Sequence, residues 1–189
     1  MPKKPAITWT RHKIKWSTCV RCELSECRNH VVLARGKLPA EVLIVGEAPG
    51  ASEDVLGRPF VGPAGKLLDS IIEEAEVVSC KPSKVFTNLV GCIPKDDGGN
   101  KAHEPPRDSL LACGPRLQEL TEIARPKGII MVGKLPQKWC PKLIDYDFEM
   151  SLDIVHPAAI LRMDVSQQGL AIQRTTIQIR DFFNKLIPF

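Results

Sequence analysis

Val42-Leu43-Ile44-Val45-Gly46-Glu47-Ala48-Pro49-Gly50, continued by Ala51-Ser52-Glu53-Asp54 and by Gly57-Arg58-Pro59-Phe60-Val61-Gly62-Pro63-Ala64-Gly65, is the stretch that sets the fold. The apolar run Val42 to Val45 reads as a buried strand. Lys66 to Ala75 reads as a helix, with Leu67, Leu68, Ile71, Ile72 and Ala75 at helical spacing. The segment between them is a strand-to-helix loop far longer than the ~2–6 residues of a plain connection. Ligands of α/β proteins sit in such loops, beyond the carboxyl ends of the strands. Glycine lets backbone approach a ligand closely, and proline stiffens the path. A rigid loop carrying Glu47, Glu53, Asp54 and the aromatic Phe60 suits a pocket for a flat, polar molecule. No Gly-Lys-Ser/Thr follows its glycines, so it is not a Walker phosphate loop. It also lacks the Gly-x-Gly-x-x-Gly of a dinucleotide site.

Outward from this loop the pattern repeats. Val85 to Val90 reads as a second strand, with Asn88 near its end. Residues 93–107 form a polar loop too rich in Gly, Pro and charge for a regular element. Leu110, Leu111, Leu117 and Leu120 begin an amphipathic helix that contains Cys113. Gly128 to Val132 reads as a third strand, and Leu152 to Val155 as the last, followed directly by His156-Pro157. Gly133-Lys134-Leu135-Pro136 breaks the pattern, so a helix between 133 and 150 is expected to be short or missing. An amphipathic helix from Ala171 to Leu186 closes the chain. Cys80, in a Cys-Lys-Pro-Ser turn, reads as structural, and Cys140 beside Trp139 as a buried thiol.

The 189 residues suit one domain with a real core. A net charge of +4 permits a nucleic-acid partner without demanding one. Aromatic residues are only 5% of the chain, which argues against a single-strand binder built on stacking platforms. No apolar run approaches the ~20 residues that span a bilayer. The basic start has no apolar segment behind it, so no signal peptide is expected. Residues 1–18 read as a basic arm whose Trp9 and Trp16 pack on the domain spanning 19–189, with a DNA-contacting arm as the alternative.

Seven cysteines without a secretory signal point to a reducing, cytoplasmic setting and to a metal or cluster rather than disulfides. Cys19-Val20-Arg21-Cys22 holds two thiolates at a separation suited to one metal centre. Alone it fits zinc, an iron–sulfur cluster or a redox pair.

Four matches converge on one resemblance. They are Gly46-Glu47-Ala48-Pro49-Gly50 with Gly57-Arg58-Pro59-Phe60-Val61-Gly62; Thr87-Asn88 with Cys92; Cys113 on its helix ahead of Pro115; and His156-Pro157-Ala158 with Arg162. Together with the opening Cys-x-x-Cys they resemble the family 4 uracil-DNA glycosylases, over roughly residues 19–132 and 151–162. The resemblance implies an α/β fold: a three-layer α/β/α sandwich around a short, mostly parallel four-stranded sheet. It implies a monomer acting on uracil in single- or double-stranded DNA, with no membrane partner. It implies that Cys19, Cys22, Cys92 and Cys113 hold a [4Fe–4S] cluster, with zinc as the alternative and Cys27 as an extra thiol outside the set.

The resemblance also assigns roles. Glu47 and His156 are the candidate catalytic residues. Gly46, Ala48, Glu53, Phe60 and Asn88 would bind the base, with Phe60 stacked on it. The amide of Asn88 offers a donor and an acceptor together, which suits uracil and rejects cytosine. His156 would donate to uracil O2, where charge builds. Glu47, or else Glu53 or Asp54, would position water or face the cationic sugar. Ile160, Leu161 and Arg162 would fill the vacated base stack or hold phosphates once the nucleotide is flipped out.

One departure opens an alternative. The loop between Cys92 and Cys113 is long, and His103 sits where a related branch carries a histidine that traps uracil-DNA covalently. That branch has Gln in place of Ala48 and arginines in place of Asn100-Lys101-Ala102. A non-catalytic DNA- or protein-binding relative is a further alternative, raised by the shortened region around 133–150, and a zinc-binding module of unrelated function is the last.

Overall fold

The computed structural model describes residues 7–77, 80–95 and 103–188. In chain order the elements are α1 (Trp9–Trp16), a single 3-10 turn (Glu23–Ser25), β1 (Arg35–Gly36), β2 (Val42–Gly46), α2 (Ala51–Leu56) and α3 (Pro63–Glu76). Then follow β3 (Lys84–Asn88), α4 (Arg107–Ala124), β4 (Gly128–Val132), α5 (Lys134–Leu143), β5 (Met150–Ile154), α6 (Pro157–Ile160) and α7 (Val165–Leu186).

The sheet has the order β1-β3-β2-β4-β5. β3, β2, β4 and β5 run parallel, in a register that pairs Gly46 with Asn88 and Val132 with Ile154. The four parallel strands are those expected. A fifth is added: β1 pairs antiparallel with β3 through Arg35↔Phe86 and Gly36↔Val85. Two residues are too short to carry any hydrophobic period, so the sequence gives no sign of this strand.

β2 and β4 are buried along their whole length, as parallel strands covered on both faces must be. Leu43, Val45, Val85, Ile129 and Met131 face Leu110 and Leu117 of α4 and Leu135 and Trp139 of α5. Val42, Ile44, Phe86, Ile130 and Val132 face Leu68, Ile71 and Ile72 of α3 and Ile179, Phe182 and Phe183 of α7. Helices therefore cover both sides of the sheet, in three layers.

Two local expectations are corrected. α5 is present, with ten residues. Pro136 lies in its first turn, where the missing N–H would have no helical partner anyway. The long loop after β2 also contains a regular element, α2. It is stopped by Gly57 in the left-handed conformation, φ 67°.

α1 packs on α4. Trp16 is buried, and its indole N–H donates to Glu119 of α4. Lys15 pairs with the same carboxylate at 3.2 Å. The first six residues of the arm lie outside the described residues. Among the described residues, no helix is long and apolar enough to cross a membrane.

Candidate active site and cysteine centre

A cavity of about 480 Å³ opens at the carboxyl ends of β2, β3 and β5. Glu47, just past β2, Asn88, the last residue of β3, and His156, just past β5, all line it together with Phe60 from the long loop. Ala48, Glu53 and Arg162 line it too, as do His103 and Glu104 from the loop before α4. The residues ahead of His103, Asn100-Lys101-Ala102, lie outside the described residues.

Gly46 does not line the cavity; it makes it possible from beneath. A Cβ there would overlap Asn88 Oδ1 and Phe60 Cζ, so a side chain would push the amide and the ring apart. Phe60 itself has φ 56°, an uncommon backbone state for a bulky residue that persists only when its surroundings enforce it. They do. Arg35 Nε donates to Pro59 O at 2.8 Å and Nη2 to Phe60 O at 3.4 Å. Its guanidinium also pairs with Asp69 and lies 3.9 Å from the centre of the Phe86 ring. Behind Phe60, Gly65 lets α3 approach so closely that a Cβ would strike the Phe60 backbone.

The acids divide by role. Glu53 accepts the backbone N–H groups of Gly50 at 3.1 Å, Val61 at 2.8 Å and Gly62 at 2.7 Å. It fastens both ends of the long loop. Asp54 is buried and accepts Asn29 N at 2.9 Å, Asn29 Nδ2 at 2.7 Å and His30 N at 3.3 Å. It ties the segment before β1 to α2 and does not line the cavity. Among the described residues, Glu47 is the acid of the loop whose carboxylate is committed to no such task. Burial raises its pKa above the ordinary carboxylate range, and the nearby Glu104 charge raises it further.

His156 is held by its own turn. The Ala158 N–H donates to His156 Nδ1 at 3.1 Å. An accepting Nδ1 leaves the proton of the neutral ring on Nε2. Burial, and then Arg162, lower its pKa, so the neutral form is the one the fold favours.

Of the three DNA-contact candidates, Ile160 is buried in the core and offers no surface. Leu161 is 43% exposed and Arg162 lines the cavity. His103 Nδ1 lies 3.2 Å from Glu104 O. Glu104 and Arg35 were missed in the sequence. Glu104 sits in a loop without period, and Arg35 on a strand too short to read.

Cys19, Cys22, Cys92 and Cys113 ring a second, apolar cavity walled by Leu24, Val31 and Val90. Arg28 Nη1 donates to Cys92 Sγ at 3.5 Å, and Arg116 Nε to Cys113 Sγ at 3.2 Å. Burial pushes the Cys92 thiol up to about 11, opposed in part by Arg28. Among the described residues, no three His, Cys, Asp or Glu side chains are drawn together as the ligands of one metal ion would be. Four thiols around one cavity, with cationic donors on two of the sulfurs, are a Cys₄ donor set of the kind that holds zinc or an iron–sulfur cluster.

Residues 33–176 match the family model described as the uracil DNA glycosylase superfamily. A type-4 uracil-DNA glycosylase from Pyrobaculum aerophilum is 35% identical over 164 residues, covering 76% of this chain and 80% of that protein. The chain belongs to the type-4 branch of the uracil DNA glycosylase superfamily.

A second type-4 relative, from Saccharolobus solfataricus, is 41% identical over 117 residues, covering 61% of this chain and 51% of that protein. Against it and the Sulfurisphaera tokodaii relative, the chain spans about half the length of the curated proteins it matches. The fold likeness extends to the crystal structure of SMUG2 from Pedobacter heparinus. There the TM-score is 0.57 at 13% identity, over 77% of this chain and 76% of that one. Cys92, Cys113 and the cavity residues lie within the family match, while Cys19 and Cys22 precede it.

Proposed function

We propose that this chain excises uracil from DNA, leaving an abasic site. The observation that carries the reading is the convergence of Glu47, Phe60, Asn88 and His156 on one base-sized cavity, with the His156 proton on Nε2. The extruded base stacks on Phe60, and the Asn88 amide pairs with the uracil carbonyl and its neighbouring N–H. The bond between C1′ and N1 breaks, and its electron pair goes to the base. Nε2–H of neutral His156 donates to uracil O2 as charge collects there; such a donor typically supplies ~10²–10³ in rate. Ionised Glu47 faces the cation-like sugar and orients the water whose oxygen bonds to C1′. The water proton leaves with the base. Leu161 fills the vacated base stack and Arg162 holds a phosphate.

We assign Cys19, Cys22, Cys92 and Cys113 to a [4Fe–4S] cluster. When bound it supplies cross-linking rather than electrons, since hydrolysis of this bond needs none. The thiols suit a reducing, cytoplasmic setting, and we take the protein to act as a monomer.

His103 lines the same cavity and carries a second reading, covalent capture. One of its ring nitrogens would bond to C1′, uracil would leave with the electron pair, and the imidazole would release a proton. One gel separates the two. Anaerobically purified protein is mixed with labelled single-stranded DNA carrying one uracil, then split between alkali and boiling denaturant. Strand scission after alkali supports excision. A shifted band that survives boiling moves the role to His103. Neither, with iron loaded, means a binding protein and overturns the enzyme reading.

A further inference from the structure

Arg116 lies on α4 three residues beyond Cys113 and is only 1% exposed. Guanidinium has five N–H donors, and all five are engaged. Nε donates to Cys113 Sγ at 3.2 Å. Nη1 donates to Thr87 Oγ1 at 3.1 Å and Leu33 O at 3.5 Å. Nη2 donates to Asn88 O and to Leu89 O, the latter at 3.2 Å. Thr87 Oγ1 in turn donates to Leu33 O at 2.7 Å. A buried charge is tolerated only when hydrogen-bonded and balanced. Cys113 is the partner that becomes anionic on binding metal. The other four acceptors belong to the end of β3 and to the segment before β1.

We propose that Arg116 is a positioning residue that couples the cysteine centre to the base-reading end of β3. One rigid, planar fork spans Cys113 and the carbonyls of Asn88 and Leu89. Loading the centre turns Cys113 into a charged acceptor and strengthens the Nε bond. The fork is thereby held in place, and the backbone carrying the Asn88 amide with it. Lysine cannot replace it, since a point charge with three donors cannot reach five acceptors. The coupling rests on the base-reading role given to Asn88 above.

The test compares loaded wild type with Arg116→Lys, which keeps the charge, and Arg116→Met, all purified without oxygen. Iron and labile sulfide per chain, amide hydrogen exchange and steady-state excision of uracil from single-stranded DNA are read together. For iron-loaded Arg116→Lys, exchange at residues 87–89 is expected to rise about tenfold while β4 keeps its protection. KM is expected to rise about tenfold with kcat within about twofold, the effect of losing roughly one charge-assisted hydrogen bond. Unchanged exchange at 87–89 in the loaded Lys variant overturns the coupling. So does a Lys variant that cannot be loaded, because Arg116 would then serve the centre alone. A wild type without excision defeats the enzyme reading instead, and the exchange result still decides the link.

Discussion

His156 Nδ1 accepts the Ala158 N–H at 3.1 Å, so the turn after β5 fixes the tautomer of the ring that faces the cavity. His156→Ala should slow single-turnover excision by ~10²–10³ with iron content unchanged. A variant within twofold of wild type would remove the histidine from the chemistry.

Two titrating groups of the cavity, Glu47 and His156, are shifted in opposite senses. Burial and Glu104 hold Glu47 high, while burial and Arg162 hold His156 low. Activity needs Glu47 ionised, so excision should fall on acidification through the raised Glu47 pKa. Glu104→Gln removes the charge that helps raise it. The acid limb of kcat should therefore move to lower pH, and a limb that stays or moves upward would contradict the pairing.

Arg35 holds Phe60 in its left-handed backbone state by gripping the Pro59 and Phe60 carbonyls, which flank the Phe60 Cα. Arg35→Met should lower stability by about 1–2 kcal/mol and raise KM for uracil-DNA several-fold, leaving cysteine loading intact. Urea unfolding and steady-state kinetics check the two effects separately. A stability loss without a KM change would reduce Arg35 to a packing residue.

His12 of α1 is fully buried, 3.5 Å from the Glu119 carboxylate and stacked on Trp9. Burial first, then the Arg116 charge, lowers its pKa from 6.5 to about 4; Lys15 adds to this and Glu119 opposes it. The unfolded chain therefore binds this proton more readily. The stability contribution is complete above pH 6.5 and lost as pH falls toward about 4, by at most about 1.4 kcal/mol per pH unit. Denaturant melts of His12→Gln should show a flatter dependence in that window. An identical slope would mean that other groups cause the acid loss.

Much of the fold was written in the sequence because its signals are local. Val42 to Val45 and Gly128 to Val132 are uninterrupted apolar runs, and parallel strands buried on both faces look like that. Glu47, Phe60, Asn88 and His156 were legible for a related reason: each falls at a strand end or within the glycine-rich loop. What stayed hidden is what depends on partners far along the chain. β1 exists only through two pairings with β3. Pro136 looked like a break because its place in the first turn of α5 is set by Gly133, not by proline itself. Ile160 looked like a wedge for DNA, but α6 turns it into the core. Arg116 reads as one more charge on an amphipathic helix until five acceptors are found around it.

The cavity draws its walls from the ends of β2, β3 and β5, the last of these more than a hundred residues after the first. No fragment that lacks the final strand can present all of them at once. A base-sized ligand thus recognises only the completed fold, and its binding energy opposes global unfolding rather than the fraying of any single loop. At a hundred times its Kd such a ligand adds about 2.7 kcal/mol to the free energy of unfolding, so the amplitude of the ligand-shifted melting transition gauges the share of a preparation that is whole.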